Sequence, residues 1–125
     1  MNINFIHDYL SNQSYWAKGR SIESVKKSIQ NSICFGVYTE DDVQIGFARI
    51  ATDYVIFAWL MDVFVDKKYR KQGVGKALID YIVNHDELKE VNGIGLRTKD
   101  GHKLYNQFGF ENISNPETWM LKKKN

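Results

Sequence analysis

The most informative stretch of this chain reads Asp62-Val63-Phe64-Val65-Asp66-Lys67-Lys68-Tyr69-Arg70-Lys71-Gln72-Gly73-Val74-Gly75-Lys76-Ala77-Leu78. It runs from an apolar strand through a basic loop with two glycines into a helix. A helix N-terminus presents unpaired N–H groups and about half a unit of positive charge, so phosphate binds there readily. Gly73 and Gly75 lack a Cβ atom, so the backbone can approach a diphosphate closely. Three basic side chains add positive charge around these glycines: Arg70, Lys71 and Lys76.

The spacing of these residues separates this loop from two other phosphate-binding loops. A P-loop needs glycine at position 70 and Ser or Thr at position 77, where this chain has Arg70 and Ala77. The dinucleotide-binding pattern needs a third glycine where this chain has Leu78. The remaining pattern is Arg-x-x-Gly-x-Gly after an apolar strand. In this pattern the chain resembles the GNAT acetyltransferase superfamily, whose pyrophosphate loop reads Q/R-x-x-G-x-G/A.

A second motif supports the same resemblance. Leu104-Tyr105-Asn106-Gln107-Phe108-Gly109-Phe110 is similar to the downstream L-Y-x-x-x-G-F signature of that superfamily. The resemblance extends over residues 20–122 in the order of the predicted elements. It implies an acyl-CoA N-acyltransferase fold, with acetyl-CoA as cosubstrate and an amine as acceptor.

A length of 125 residues predicts a single domain over residues 1–125, and the order of the predicted elements indicates a mixed α+β fold. The clearest helix covers 74–84, where Val74, Ala77, Leu78, Tyr81 and Ile82 recur at helical spacing. This helix connects two parallel strands of a central, mostly antiparallel sheet, with helices on both faces. The other predicted helices are 4–10, 22–31 and 101–107, and the predicted strands are 33–39, 43–51, 55–65, 94–98, 110–113 and 118–122. Residues 11–21 are predicted to be a loop, and only Met1 to Ile3 remain for the N-terminal strand with which related domains begin.

The resemblance implies that the cofactor lies in a V between strands 55–65 and 94–98. The backbone groups of Val63 and Val65 would pair with the pantetheine amides, and an N–H near Phe64 would polarise the thioester carbonyl. Thr98 stands where many relatives have an asparagine that contacts the cofactor. The predicted cofactor-binding residues are Val63, Phe64, Val65, Arg70, Lys71, Gln72, Gly73, Val74, Gly75, Lys76 and Thr98.

Two residues are predicted to be catalytic. Tyr105 matches the acid of the family, which donates a proton to the departing sulfur after the amine attacks the thioester and a tetrahedral intermediate forms. Asp62 interrupts an apolar strand, where an unpaired carboxylate is costly, so it is a candidate base or amine anchor. Alternation places Asp62 on the strand face of Leu60 and Phe64. The alternatives are a structural carboxylate bonded to the backbone, to Arg49 or to Arg97, and a water chain in place of a dedicated base.

Composition restricts the other partners. The formal net charge is only +2 and the aromatics do not alternate with the lysines, so a nucleic-acid partner is not expected. The three histidines and one cysteine form no metal-ligand pattern, so no metal is expected. A single cysteine and the absence of a signal-peptide or membrane-spanning pattern predict a cytoplasmic protein. Its oligomeric state stays open between a monomer and a homodimer. The alternative function is a non-catalytic acyl-CoA-binding sensor on the same fold, and the acceptor amine stays open.

Overall fold

The structure, a computed structural model, describes residues 1–124. The chain forms helices α1 (Ile3–Asp8) and α2 (Ile22–Gln30), strands β1 (Ile33–Tyr38), β2 (Gln44–Thr52) and β3 (Phe57–Val65), helix α3 (Val74–Val83), strand β4 (Gly93–Gly95) and helix α4 (His102–Asn106). A π-helical turn follows α1 at Tyr9–Gln13, and short 3-10 turns lie at Lys67–Tyr69, Asp86–Leu88 and Pro116–Thr118.

The sheet has four strands in the order β1-β2-β3-β4. The first two pairs are antiparallel, and β4 joins β3 in parallel after the crossover through α3. A parallel neighbour requires such a crossover connection, whereas antiparallel neighbours need only a turn. The predicted mixed, mostly antiparallel sheet is therefore confirmed.

Helices cover both faces of the sheet, as predicted. One core lies between α3 and the sheet, and its members include Ala48, Ile50, Leu60, Leu78, Ile79 and Ile82. The other core lies between the N-terminal helices and the sheet, and its members include Ile6, Leu10, Val25, Phe47 and Phe64. Each helix places an apolar stripe on the sheet, as expected for amphipathic helices on a layered fold.

Two features of the N-terminal segment bear on the prediction. The chain enters α1 directly, with the Asn2 side chain accepting from the Phe5 amide at 3.0 Å, so Met1 and Asn2 form no strand. The predicted loop also begins later, because the helix widens into the π-helical turn. There the Ser14 amide donates to the Tyr9 carbonyl at 3.0 Å, and the buried Ser14 hydroxyl donates to the Leu10 carbonyl at 2.6 Å. The side chain thus satisfies a carbonyl that a regular helix would bond.

The two predicted C-terminal strands, 110–113 and 118–122, are wrong. Residues 110–124 contain no strand, and all of the described residues after Phe110 are exposed. A strand needs a neighbour for its backbone groups, and β4 offers an edge of only three residues. The predicted stop after the last helix is confirmed, because Gly109 has the positive φ of 89° that favours glycine.

A β-bulge interrupts β3 at its centre. The register pairs Phe47 with Phe64 and Arg49 with Met61, so β3 carries one residue more than β2 between these pairs. Asp62 has a positive φ of 55° at this point. Alternation does not continue through such a residue, and Leu60 packs in the α3 core while Phe64 packs in the other core. The prediction that Asp62 shares one face with both residues is therefore wrong.

Candidate functional site

The sheet opens into a cleft because β4 is much shorter than β3. β4 pairs only with Phe57, Ala58 and Trp59, so the rest of β3, from Leu60 to Val65, has an open edge. The chain after β4 turns away towards α4 and forms the opposite wall. Between them lies a cleft of about 840 Å³, bordered also by six residues of the segment 9–20 and by Gly75 at the start of α3.

The open edge of β3 presents alternate backbone groups. Phe64 pairs with Phe47, and the Asp66 amide donates to the Ile45 carbonyl at 2.7 Å, so both residues direct their amides towards β2. Val63 and Val65 consequently direct their backbone groups towards the cleft. The pairing of Val63 and Val65 with a cofactor stays a prediction, and the Phe64 amide points away from the cleft.

The loop before α3 offers a row of unpaired amides. Within residues 1–124, no backbone carbonyl or side chain accepts from the amides of residues 71–76. Lys71 and Gly73 have positive φ values of 64° and 81°, which turn the chain so that successive N–H groups face outwards. Gly73 is the residue that precedes α3, so the helix dipole adds to the positive potential there. This cradle suits an anion such as a diphosphate.

Arg70 lies between this cradle and the β3 edge. Its Nε donates to the Val65 carbonyl at 3.1 Å, and its Nη2 donates to the Tyr9 hydroxyl. The guanidinium is thus held at the mouth of the cleft, on the side of α3. One of the two backbone acceptors predicted for the cofactor, the Val65 carbonyl, is already bonded to Arg70.

The cleft collects some of the predicted site residues and leaves others beside it. Its walls include Asp62, Val63, Phe64, Val65, Arg70, Gly75, Thr98 and Tyr105. The remaining predicted cofactor residues belong to the loop and first turn of α3 but do not border the cleft, namely Lys71, Gln72, Gly73, Val74 and Lys76. Their amides form the cradle, so a ligand that spans both regions would contact both sets.

Tyr105 places a protonated hydroxyl in the cleft. Burial, with smaller contributions from Tyr15 and Asp100, raises the pKa of Tyr105 to about 12. Its ring packs against Phe110 with centroids 5.6 Å apart, and its hydroxyl bonds to no group within residues 1–124. Thr98 lies on the same wall, where its hydroxyl oxygen accepts from the Gly101 amide at 2.8 Å. The Tyr105 hydroxyl is thus free to donate to a ligand.

Asp62 is the centre of a hydrogen-bonded cluster. Its Oδ2 accepts from Arg20 Nη1 and from Arg49 Nε, each at 2.7 Å, and its Oδ1 accepts from Trp16 Nε1 at 2.8 Å. Burial alone would raise the pKa of Asp62. The Arg49 hydrogen bond and the positive charges of Arg20 and Arg49 outweigh burial, so the pKa lies below its usual range. The sequence analysis offered a structural carboxylate bonded to an arginine as an alternative to a catalytic base. The observed partners of Asp62 are Arg49, which was named there, and Arg20, whereas Arg97 makes no bond to Asp62.

The sequence offers Tyr15 and Trp16 either as walls of the acceptor site or as packing residues of a loop, and it does not pair Arg20 with Asp62. Arg20 lies 42 positions from Asp62 in the sequence, and no local pattern relates the two. Tyr15 reaches across the cleft, where its hydroxyl oxygen accepts from the Lys99 amide at 3.1 Å. The presence of two aromatics and an arginine in an otherwise polar segment was the only available signal.

Two features are absent from the described residues, a metal-ligand cluster and a membrane-spanning helix. Residues 1–124 contain no group of three or more His, Cys, Asp or Glu side chains that could hold a metal ion. In the same range, no helix has the length and apolar character that crossing a bilayer requires.

Comparisons with known proteins agree with this geometry. Residues 30–112 match the model of the "Acetyltransferase (GNAT) domain" family. GCN5-related N-acetyltransferase 2, chloroplastic, of Arabidopsis thaliana is 31% identical over 96 residues, which are 73% of this chain and 37% of that protein. An uncharacterized ycf52-like N-acetyltransferase of Prochlorococcus marinus is 34% identical over 90 residues, 69% of this chain and 49% of that protein. The chain thus spans less than half the length of these two relatives.

Solved structures show the same fold. A protein of Xanthomonas campestris pv. campestris, described as an acetyltransferase belonging to the GNAT family, superposes with a TM-score of 0.95 at 36% identity, covering 99% of this chain and 87% of that one. A GNAT-family acetyltransferase of Streptococcus pneumoniae has a TM-score of 0.75 at 21% identity, covering 100% and 92%, and shares the fold. With the family model matching most of the chain, this protein belongs to the GNAT acetyltransferase family.

Proposed function

We propose that this chain acts as one N-acetyltransferase domain, which moves the acetyl group of acetyl-CoA onto a primary amine. The observation that carries the proposal is the juxtaposition of the unpaired amides of residues 71–76 with the open edge of β3. The first would hold a diphosphate, and the second would pair with an extended amide-containing chain. Coenzyme A combines these two chemical features in one molecule.

The binding mode follows from the direction of β3. The strand leads directly into the cradle through residues 66–73, so a ligand with its diphosphate on the cradle can extend back along Val65 and Val63. The Val65 amide remains available to the pantetheine arm, although its carbonyl already accepts from Arg70. The Val63 amide is then placed to donate to the thioester oxygen and stabilise negative charge on it. This replaces the donor near Phe64 that the sequence suggested.

Tyr105 would assist departure of the thiolate. A pKa of about 12 keeps its hydroxyl protonated at neutral pH, so it can donate to the sulfur as negative charge develops. A thiol has a pKa of roughly 8.5, so complete transfer of the Tyr105 proton to a free thiolate is unfavourable. The principal contribution expected from Tyr105 is therefore a hydrogen bond that strengthens as the C–S bond breaks.

The nitrogen of the acceptor must lose two protons in the complete reaction. An alkylamine has a pKa near 10.4, so about one molecule in a thousand is neutral at pH 7 and able to attack the carbonyl. After the new C–N bond forms and the C–S bond breaks, a second proton leaves the nitrogen and one proton ends on the sulfur. The role of Asp62 as base stays a prediction. With a lowered pKa and two arginine partners, it accepts protons poorly, so a water chain is the stronger candidate.

The test is calorimetry with acetyl-CoA followed by measurement of thiol release with a panel of amines. Tyr105→Phe is expected to keep the acetyl-CoA affinity and to lower kcat by about a hundredfold or more. The matched control is Tyr81→Phe, because Tyr81 is 63% exposed on α3 and does not border the cleft. Wild-type kinetics in that control would show that the effect is local to the cleft.

Two outcomes would contradict the proposal. Absence of any acetyl-CoA affinity would remove its basis. Firm acetyl-CoA binding without turnover on any amine would instead support the alternative, an acyl-CoA-binding sensor on the same fold.

A further inference from the structure

We infer that the acceptor is a small amine that also carries an anionic group, a carboxylate or a phosphate, which binds to Arg20 and Arg49. The inference rests on the proposed function, since it names the substrate class of the same cleft. It is carried by the charge distribution of the cleft wall opposite α3 and by the unused donors of these two arginines.

The cleft is far more basic than the chain as a whole. Among residues 1–124, six cationic side chains border it, whereas only Asp62 and Asp100 supply negative charge there. Two of the cations, Lys67 and Arg70, lie at the α3 end, where the diphosphate would neutralise them. The cations that remain are Arg20, Arg49, Arg97 and Lys99. Two carboxylates therefore face four positive charges in the part of the cleft that is left for the acceptor.

The imbalance is concentrated around one carboxylate oxygen. Arg20 and Arg49 both donate to Asp62 Oδ2, so two guanidinium groups share a single negative charge. Their side chains are 25% and 13% exposed, so water solvates this excess charge only in part. Partly buried charge without a counter-ion is unfavourable, and a ligand anion at this place would be bound strongly.

Both arginines retain donors for such an anion. Arg20 uses only Nη1 within residues 1–124, and Arg49 uses Nε and also Nη1, which donates to Ser32 at 3.1 Å. The other guanidinium nitrogens have no partner in this range. They are also not buried, since every buried side-chain nitrogen and oxygen described by the structure has a partner. Both arginines border the cleft, and none of these nitrogens is bonded to another group in the described range.

The two arginines lie on the acceptor side of the sheet. Arg49 stands between Ala48 and Ile50, which pack in the α3 core, so its side chain projects from the opposite face. Val63 and Tyr105 pack against the α3 core, on the side where the cofactor would lie. An anion on Arg20 and Arg49 would therefore belong to the acceptor rather than to coenzyme A.

A bridge over the cleft favours a small acceptor. Tyr15 follows the π-helical turn and bonds the Lys99 amide on the opposite wall, and the Lys99 Nζ lies 5.6 Å from the centre of the Tyr15 ring. The neighbouring Trp16 ring meets Tyr15 edge-on, with centroids 5.0 Å apart. Together these residues close part of the cleft entrance, which suits a small molecule better than a protein side chain.

The test compares matched pairs of small amines as acceptors for the full chain with acetyl-CoA. One member carries the anion and the other does not: 4-aminobutanoate against 4-aminobutanamide, and O-phosphoethanolamine against ethanolamine, with spermidine as a polycation. We expect kcat/KM to be about tenfold to a hundredfold higher for the anionic member of at least one pair. The carboxylate and phosphate pairs show which anion is preferred. Thermal shifts with coenzyme A present report binding independently of turnover.

Variants assign the effect to Arg20. Arg20→Gln should raise the KM for the anionic acceptor about tenfold or more, leave the KM for acetyl-CoA unchanged and reduce the preference over the neutral partner. Arg20→Lys should restore part of the preference, because it keeps the charge. Lys18→Gln is the matched control, since Lys18 is exposed on the same segment and does not border the cleft. If Arg20→Gln fails to fold, the comparison of acceptor pairs in the wild-type protein still tests whether an anionic group on the acceptor is preferred.

The inference is overturned if neutral or polycationic amines are used as well as the anionic ones, or if no anionic amine binds in the presence of coenzyme A. It is also overturned if Arg20→Gln lowers kcat/KM for both members of a pair equally. A chain that binds acetyl-CoA and acetylates neutral amines would contradict this inference alone, whereas a chain without acetyl-CoA affinity would contradict the proposed function.

Discussion

Substituting Gly75 by alanine tests the proposed diphosphate site with little risk to the fold. Gly75 is the second residue of α3, and a Cβ atom there would lie 3.9 Å from Leu104 Cδ2 and 4.0 Å from Val65 Cγ2. These are ordinary van der Waals distances, so the protein itself has room for the methyl group. Because both neighbours and Gly75 border the cleft, the methyl group would occupy space through which a ligand reaches the amides.

The expected changes in stability and affinity have opposite signs. Alanine in a helix is favoured over glycine by about 0.5 to 1 kcal/mol, so Gly75→Ala should raise the free energy of unfolding slightly. If the diphosphate loses a hydrogen bond to a backbone amide, the loss is about 1.5 to 3 kcal/mol, as for other bonds to charged groups. The Kd for acetyl-CoA should therefore rise by about tenfold to a hundredfold.

The assay pairs isothermal calorimetry with acetyl-CoA and chemical denaturation of the same preparations. The affinity for pantetheine, which contains no phosphate, should change little in Gly75→Ala, since pantetheine has no diphosphate to place on the cradle. An unchanged Kd for acetyl-CoA would refute the placement of the diphosphate at residues 71–76. A loss of affinity together with a loss of stability would also count against it, because the effect would then come from damage to the fold.

Three further predictions concern single residues. Gly73→Ala should lower the free energy of unfolding, measured by denaturation, by about 1 to 2 kcal/mol, because the φ of 81° at this position is unfavourable for a residue with a Cβ atom. Steric clash is not the cause, since a Cβ there meets no atom within 4 Å. Gly73→Asn should be less destabilising, because asparagine adopts positive φ more readily than alanine. The kcat/KM measured from pH 6 to 10 should rise as the amine deprotonates. It should show no decline caused by Tyr105, because a pKa of about 12 keeps that hydroxyl protonated over this range. A decrease in kcat/KM below pH 9 would contradict this expectation. Asp62→Asn should lower the free energy of unfolding by about 3 kcal/mol at pH 7, since Arg20 and Arg49 lose their counter-charge. Because the pKa of Asp62 is lowered in the folded state, its stabilisation is complete above the unfolded pKa of about 3.9 and disappears as the pH falls through the folded pKa. The difference in stability between the two proteins should therefore begin to shrink below about pH 4 and disappear only below the folded pKa, and an undiminished difference at pH 3 would refute the assignment.

The row of unpaired amides before α3 could be predicted from the sequence because it is local. The strand, the basic loop, the glycines and the helix start lie within residues 62–78, and their spacing predicts which amides are unpaired. The position of Tyr105 beside the cleft was predicted in the same way, from a short motif. The Asp62 cluster was not, because its partners Arg20 and Arg49 come from distant parts of the chain and only folding brings them together.

The sequence by itself determined the order of the helices and strands as far as α4, and with it the mixed sheet, because hydrophobic periodicity and turn residues act over a few positions. Only the tertiary structure decided where β3 bulges and where strands stop. The positive φ at Asp62 reverses the faces of the residues on either side, and this depends on the pairing of β3 with β2. Likewise, the segment after Phe110 has strand-like composition but no neighbour to pair with. A strand is stabilised by hydrogen bonds to another strand, and the composition of one segment cannot supply its partner.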